Sequence, residues 1–588
     1  MERGEQWTES SEMLAAGSTE KLPRPMAVEV PRNAGKARSK KSLWLLIGAG
    51  VALLAISGAV IGALIAKDVI HVNKKSSVSQ GSALGTASGD SSPTSTSNSS
   101  SSATTSDSAI STPKPIPACS TSDEIPSSAK GTWMDPTSWL DMKDFNCTFT
   151  SETIGDLPLV GLNDTWDDSK RPNSNVPALN SSFGYGQRPF RGVNLGGWLS
   201  PEPFITPSLF ADDIPHEYTM SKKLGDKLAP TLEKHYSTFV TEADFKAIAD
   251  AGLDHVRIPF SYWAVKHYEG DPYLFGVSWR YLLRGIEWAR KNGLRVKLDL
   301  HAVPGSQNGW NHSGRGGKVN WIQGTDGAMN AQRSLDIHNM LSKFFAQDRY
   351  KNVVTFYGLV NEPSKNIPQE DLIAWTKKAI DIVKGNGLKA VQIFSEGMRG
   401  LGAWNGKMTG YGNSVVIDVH EYTLFDPNTI GFKHTERVAF ACNTFTSAIA
   451  ASPNPAMVGE WSQADTDCAR WLNGVGNGAR WNGSFVGVDE PGCATKDSQC
   501  NCDMANADPS TYTADYKRFL QQWAEAQMYT FEKSSWGWFY WTWKTERAPL
   551  WSYQAALKGG FMPAKAYNKD WDCSKGVPTG YGALPEFY

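Results

Sequence analysis

From about residue 185 onward, short strand-like apolar runs alternate with helical stretches, and this pattern restricts the fold more than any other feature of the chain. Strand-like runs fall at Phe190–Trp198, His255–Phe260, Leu294–His301, Val353–Val360, Ala390–Ser395, Val415–Tyr422, Met457–Trp461 and Trp536–Trp543. Helical stretches cover Thr241–Gly252, Ser278–Gly293, Ala331–Gln347, Gln369–Lys384 and His434–Ala450. Thr241 is placed to cap its helix with Asp244 three residues on, and Asn292-Gly293 is a helix stop. Strands joined by helices pair in parallel, because the crossover returns the chain to the same end of the sheet. Eight such units over this length predict an α/β chain whose ectodomain is a (β/α)8 TIM barrel. No G-x-G-x-x-G fingerprint after a strand argues for an open, doubly wound sheet instead.

The part before the barrel is organised differently. Residues 1–42 are polar, without periodicity, and read as a disordered cytoplasmic tail. Leu43–Ala66 carries no charged residue. At ~1.5 Å per helical residue it spans a hydrocarbon core of ~30 Å, which predicts one transmembrane helix through a lipid bilayer. It is too long, and starts too late, for a cleaved signal peptide, so it reads as a permanent signal anchor. Lys36, Arg38, Lys40 and Lys41 before it outweigh the basic residues after it, which leaves the N-terminus inside. The expectation is a single-pass type II membrane protein with everything after residue 66 outside. Residues 67–117 form a stalk, rich in Ser and Thr from residue 76, and residues 118–184 lead into the barrel domain at 185–588.

All eight cysteines (Cys119, Cys147, Cys442, Cys468, Cys493, Cys500, Cys502 and Cys573) follow the apolar segment, as an oxidising compartment requires. Cys500-Asn501-Cys502 lacks the spacing of a zinc or redox pair, so disulfides are expected and no metal. Sequons begin at Asn98, Asn146, Asn163, Asn180, Asn311 and Asn482, all on the same side of the segment. The formal net charge of -2 gives no sign of a nucleic-acid partner. The 23 tryptophans suit either a large core or a site that stacks on sugar faces.

Barrel active sites sit at the C-terminal ends of the strands. Arg257 lies in the second strand, His301 closes the third, and Asn361 and Glu362 the fourth. His420 and Tyr422 close the sixth, Glu460 the seventh, and Trp541 lies in the eighth. One polar strand end is an ordinary loop cap, but six of eight is a site. Two glutamates on separate strands supply what glycoside cleavage needs: a protonated acid for the leaving oxygen and an ionised group for the sugar carbon. Retention of configuration requires the carboxyl groups ~5–5.5 Å apart. Tyr422 is placed to bond Glu460 and hold it ionised, Arg257 to neutralise the nucleophile region, and Asn361 to bind a sugar hydroxyl. His301 and His420 are expected to be neutral partners for sugar hydroxyls.

Taken together, Arg191-Gly192-Val193-Asn194-Leu195-Gly196-Gly197-Trp198, Glu202-Pro203, Thr206–Phe210 and His255–Pro259 resemble glycoside hydrolase family five, in its fungal exo-β-1,3-glucanase branch. So do Asp299-Leu300-His301, Pro304–Gly309, Asn361-Glu362-Pro363, Gly459-Glu460-Trp461-Ser462 and Phe539–Glu546, in order over roughly residues 185–575. The resemblance implies a retaining mechanism with Glu362 as acid/base and Glu460 as nucleophile. It also implies a shared shell of Arg257, His301, Asn361, His420, Tyr422 and Trp541, with Glu202 binding the terminal sugar. The branch usually clamps its glucan between two phenylalanines. Phe425 matches one, and Trp310 stands where the other is expected. Asn311-His312-Ser313-Gly314 also departs from the branch, and a glycan on Asn311 would obstruct the cleft, so that sequon is expected to stay bare. By similarity Cys442 pairs with Cys573, and Cys468 with one of Cys493, Cys500 or Cys502. Residues 119–180 have no counterpart, and Cys119–Cys147 is a local candidate pair.

The implied activity is release of glucose from non-reducing ends of β-1,3-glucan, without a cofactor. Rival readings are an endo-β-glucanase, a glucan transglycosidase, and a catalytically dead glucan-binding surface protein. The last expects a lost carboxylate, and both are present.

Overall fold

Eight parallel strands close into a barrel in the order in which they occur in the chain. They are β1 (Phe190–Asn194), β2 (His255–Ser261), β3 (Arg295–Ala302), β4 (Val354–Gly358), β5 (Val391–Ser395), β6 (Val415–Glu421), β7 (Ala456–Trp461) and β8 (Gly537–Tyr540). The ring closes where β8 pairs with β1, Gly537 opposite Phe190, and with β7, Trp538 opposite Val458. This computed structural model describes residues 124–139, 149–162 and 165–586. The apolar segment 43–66, the stalk 67–117, Cys119, Cys147 and the sequons at Asn98, Asn146 and Asn163 lie outside the described residues. No helix among the described residues is long and apolar enough to cross a membrane.

Every residue of β2, β3 and β7 is buried. That is the condition of a parallel strand covered on both faces. The inward-pointing residues form layers. Phe190, Phe356, Ile393, Val416, Met457 and Phe539 fill the lower interior, joined by Phe183 and Trp536. Above them the interior is charged: Lys297 of β3 is hydrogen-bonded across the barrel to Asp418 of β6. Both are buried, and a charge at such depth survives only when paired. The period of two along a strand then lifts Asp299 and His301, and likewise His420, to the upper end. The core is thus apolar at the bottom and increasingly polar towards the strand ends where the site is expected.

The surrounding helices include α1 (Glu217–Leu224), α2 (Leu228–Thr238), α3 (Glu242–Asp250), α4 (Val277–Lys291), α5 (Gly327–Phe345), α6 (Gln369–Gly385), α7 (His434–Phe440), α8 (Thr446–Ala450) and α9 (Ala514–Ser534). Thr241 and Asp244 form the expected capping box on α3, and Gly293, with φ of 70°, follows α4. The sequence predicts one helix over His434–Ala450. The structure has α7 and α8 joined by a π-helical turn at Ala441–Phe445. Between β5 and β6 the chain makes only 3-10 turns, at Leu401–Trp404 and Gly412–Ser414. Helix α9 was not among the expected ones. Among the described residues three disulfides are formed: Cys442–Cys573, Cys468–Cys502 and Cys493–Cys500. The first two fit the pairings the resemblance implied, and the last two staple the long segment between β7 and α9.

Candidate active site

Glu362 and Glu460 meet at the upper end of the barrel. One oxygen of each and a ring nitrogen of His420 all lie within 4.8 Å of one another. Glu460 is the penultimate residue of β7. The residue before it has to be glycine: a Cβ on Gly459 would lie 2.1 Å from Asp418 Oδ1. Glu362 follows β4 by four residues and has φ of 44°, in the left-handed region. Pro363 disfavours the right-handed helical conformation at Glu362, and the strained alternative turns its side chain into the barrel mouth.

Arg257 organises the nucleophile side. Its Nη1 donates to Asn194 Oδ1 at 2.7 Å and to Glu460 Oε1 at 2.6 Å. Its Nη2 donates to Asn361 Oδ1 at 2.7 Å and lies 2.9 Å from Asp299 Oδ2. The guanidinium is completely buried. Burial works against its charge, but Asp299, Glu460 and Asp418 outweigh it and raise its pKa further. The Tyr422 hydroxyl donates to the other Glu460 oxygen at 3.1 Å, the contact foreseen from sequence. With Arg257 spent on the Oδ1 of Asn361, the Nδ2 of that side chain is buried with no hydrogen-bond partner among the described residues.

His301 and His420 differ from each other. His301 bonds Asp299 Oδ2 through Nδ1 at 2.8 Å and stacks on Trp541, with ring centroids 5.7 Å apart and planes at 7°. Burial lowers its pKa, so it is neutral as expected. His420 is not neutral. Burial opposes its charge, but Glu460, Asp418 and Glu362 together push it up to about 10. Its Nδ1 lies 2.6 Å from Glu362 Oε1 and 3.5 Å from Glu460 Oε2, so it donates to the carboxylates and not to sugar. The expectation of a neutral His420 is corrected by the number of carboxylates packed round it. Glu202 is buried, its pKa raised to about 8 by burial, with Oε1 unpartnered among the described residues.

The cavity over these groups measures about 1120 Å3. Trp310 and Phe425 both line it, as do Trp541 and Trp551. Asn311 lines it too, so a glycan there would fill the space substrate needs. Asn180 is exposed and Asn482 half-buried. Three contributors went unnamed in the sequence reading of the site. Asp299 and Asp418 were visible in principle, because each precedes a site histidine by two residues and so shares its face of the strand. Trp551 has no such signal. His312 was noted only as a departure from a pattern, yet its Nε2 lies 3.2 Å from Glu362 Oε2. Burial lowers its pKa, but Glu362, Glu202 and Glu460 outweigh that and raise it. Burial favours a protonated Glu362, but the bonds from His312 and His420 prevail and hold it well below the usual carboxylate range.

Paired buried carboxyl groups on separate strand ends of a (β/α)8 barrel are the arrangement of the barrel glycoside hydrolases. The chain belongs to glycosyl hydrolase family 5: the profile described as Cellulase (glycosyl hydrolase family 5) matches residues 225–547. It is 55% identical over 480 residues to a protein of Aspergillus clavatus named Probable glucan 1,3-beta-glucosidase D, covering 79% of this chain and 58% of that one. A protein of the same name from Aspergillus fumigatus is 54% identical over 481 residues, with 79% of this chain and 58% of the relative covered. The chain therefore spans less than two thirds of the length of these relatives. Among solved structures, rutinosidase from Aspergillus niger superposes with a TM-score of 0.50 at 18% identity, over 65% of this chain and 99% of that one, which speaks to the fold alone.

Proposed function

We propose that this chain is a retaining exo-β-1,3-glucanase that releases glucose from glucan ends, with Glu460 as nucleophile and Glu362 as acid/base. The observation that carries the reading is that one oxygen of each carboxyl group lies within 4.8 Å of the other. Inverting enzymes need ~6.5–9.5 Å to admit a water between them. The names of the relatives from Aspergillus support the β-1,3 linkage. In the first half-reaction a Glu460 oxygen bonds the sugar carbon while Glu362 gives its proton to the leaving oxygen. In the second, Glu362 takes a proton from water as that water displaces Glu460. Asn361 Nδ2 and Glu202 Oε1, both buried and unpartnered among the described residues, bind sugar hydroxyls. Trp310 and Phe425 flank the entering chain. The part of the proposal outside the described residues is the anchor: Leu43–Ala66 holds the enzyme in the plasma membrane, with the barrel on the wall side.

The purified full chain, incubated with defined β-1,3, β-1,4 and β-1,6 glucans, is expected to yield glucose from the β-1,3 chain, first as the β-anomer. Activity on another linkage alone overturns the substrate, and the α-anomer overturns the mechanism. The cavity is roomier than one glucose needs, which favours a second reading in which an acceptor sugar competes with water. Longer oligosaccharides accumulating at high substrate concentration would report it.

A further inference from the structure

We propose that His312 is the proton partner of Glu362: one proton is shared between Nε2 of His312 and Oε2 of Glu362, and Asn308 sets how it is divided. The role rests on the reading of Glu362 as acid/base and goes beyond it. A carboxyl with a donor on each oxygen is a poor acid, and Glu362 has His420 on Oε1 and His312 on Oε2. The acid it must become therefore needs a source of protons inside the closed site.

The geometry at His312 provides one. The 3-10 turn Asn311–Ser313 holds the residue over the strand ends, tied down by Ser313, whose hydroxyl donates to Trp310 O at 2.7 Å. The same ring nitrogen that faces Glu362 lies 3.0 Å from Asn308 Nδ2. The orientation of the Asn308 amide is fixed by two main-chain groups. Its Nδ2 donates to the carbonyl of Glu362 at 3.0 Å, and its Oδ1 accepts from the N–H of Trp310 at 2.9 Å. An N–H therefore points at His312 Nε2, and only a deprotonated nitrogen accepts it. Glu362 favours the imidazolium and Asn308 the neutral ring, so two contacts compete over one nitrogen. The other ionisable groups facing His312 are Glu202 and Glu460, which favour its charge, and neutral His301, 5.4 Å away between ring centroids. The Trp310 ring packs against it nearly at right angles, with centroids 5.4 Å apart.

As substrate enters, the Nε2 proton passes to Oε2, leaving a neutral imidazole and a carboxylic acid. Glu362 then protonates the glycosidic oxygen as the carbon–oxygen bond breaks. In the second half-reaction Glu362 takes a proton from the attacking water and returns it to His312, so protons balance over one turnover. His312 acts on the sugar only through Glu362 and is a positioning residue.

The test compares the full parent chain with H312Q, which keeps a donor but cannot exchange a proton. One substrate is a laminari-oligosaccharide, whose leaving group needs protonation. The other is 2,4-dinitrophenyl β-glucoside, whose leaving group does not. On H312Q, kcat/KM for the oligosaccharide is expected to fall about tenfold or more beyond any fall on the aryl glucoside. The alkaline limb of its pH profile should move about one pH unit lower, because Glu362 must then keep the proton alone beside cationic His420. Equal losses on both substrates with an unmoved limb would overturn the proposal and leave His312 a sugar ligand or a packing residue. A parent chain inactive on both substrates overturns the proposed function and this role with it. Should H312Q not fold, nitrogen NMR of histidine-labelled chain carries the test. The titration midpoint of His312 should drop on E362Q, and a midpoint that stays in place refutes the shared proton.

Discussion

Replacing Arg257 by lysine separates charge from geometry at the heart of the site. The guanidinium reaches Asn194 and Glu460 through Nη1, and Asn361 and Asp299 through Nη2, at 2.6–2.9 Å. An ammonium keeps the positive charge but is a single nitrogen on a shorter stem, and cannot fork between two carboxylates. At least two charge-assisted hydrogen bonds are lost, at about 1.5–3 kcal/mol each. The total of about 3–6 kcal/mol divides between stability and transition-state binding. If about 3–4 kcal/mol falls on the chemical step, kcat drops by two to three decades at about 1.4 kcal/mol per decade. Arg257→Met removes the charge as well and leaves Asp299 and Glu460 buried beside an apolar stem. Removing one partner of a buried pair costs about 3–5 kcal/mol, so this variant should unfold or melt far below the lysine one. The assay is kcat on an aryl β-glucoside alongside thermal unfolding followed by circular dichroism. R257K with kcat within about threefold of the parent and an unchanged melting temperature would refute the assignment of Arg257 as organiser of the nucleophile.

Glu460→Gln should reduce turnover by about 10^4-fold or more while oligosaccharide binding, measured by calorimetry, persists. Loss of both together would point to misfolding, and retained turnover would exclude Glu460 as nucleophile. Gly459→Ala should destabilise the fold by roughly 1–3 kcal/mol and impair activity, since its methyl meets Asp418, itself tethered by Lys297; a neutral change in the unfolding midpoint would mean the pair yields freely. Glu217, buried at the start of α1 with its pKa raised to about 8 by burial, gives a pH signature. A carboxyl that binds its proton more tightly folded than unfolded loses stability as pH rises from about 4.5 to about 8. The melting-temperature advantage of Glu217→Gln over the parent should therefore widen between pH 5 and pH 9, and a constant difference contradicts the buried neutral carboxyl.

The barrel was legible because its strands are short apolar runs fenced by helical ones, and eight of them leave few alternatives. Strand ends were less so. Phe190–Trp198 stops at Asn194: the Leu195 N–H makes the last ladder bond, to Arg257 O, and Gly197 then takes a positive φ against Ile205. Helix α9 was readable in hindsight: Thr513 caps it, and Tyr516, Phe519, Leu520 and Trp523 recur at helical spacing. It was obscured by the irregular disulfide-stapled segment before it. The π-turn within His434–Ala450 leaves no mark in composition. At the site, the residues at or just past the strand ends were found and Glu202, Trp310 and Phe425 came from the resemblance, whereas Asp299 and Asp418 one step down the same strands, and His312 on its loop, were not named. His312 reaches Glu362 across fifty positions of sequence, and no periodicity encodes that meeting. The charge of His420 was missed for the same reason, because it comes from Glu460 and Glu362 on other strands and from Asp418 beneath.

Closure of the ring by β8 against β1 sets a timetable for synthesis. Gly537 must find Phe190, and until it does β1 and β7 each present an unpaired edge. At about 5–20 residues per second, roughly 20–70 s pass on the ribosome between the emergence of the first strand and the last. In the last part of that interval, once Glu460 has emerged, Arg257, Glu362 and Glu460 have all been made, yet the wall carrying Trp541 is missing. A nascent or C-terminally truncated chain therefore has every ionisable group of the reaction and no pocket, and escorting the open edges through that wait falls to the chaperones of the compartment it enters.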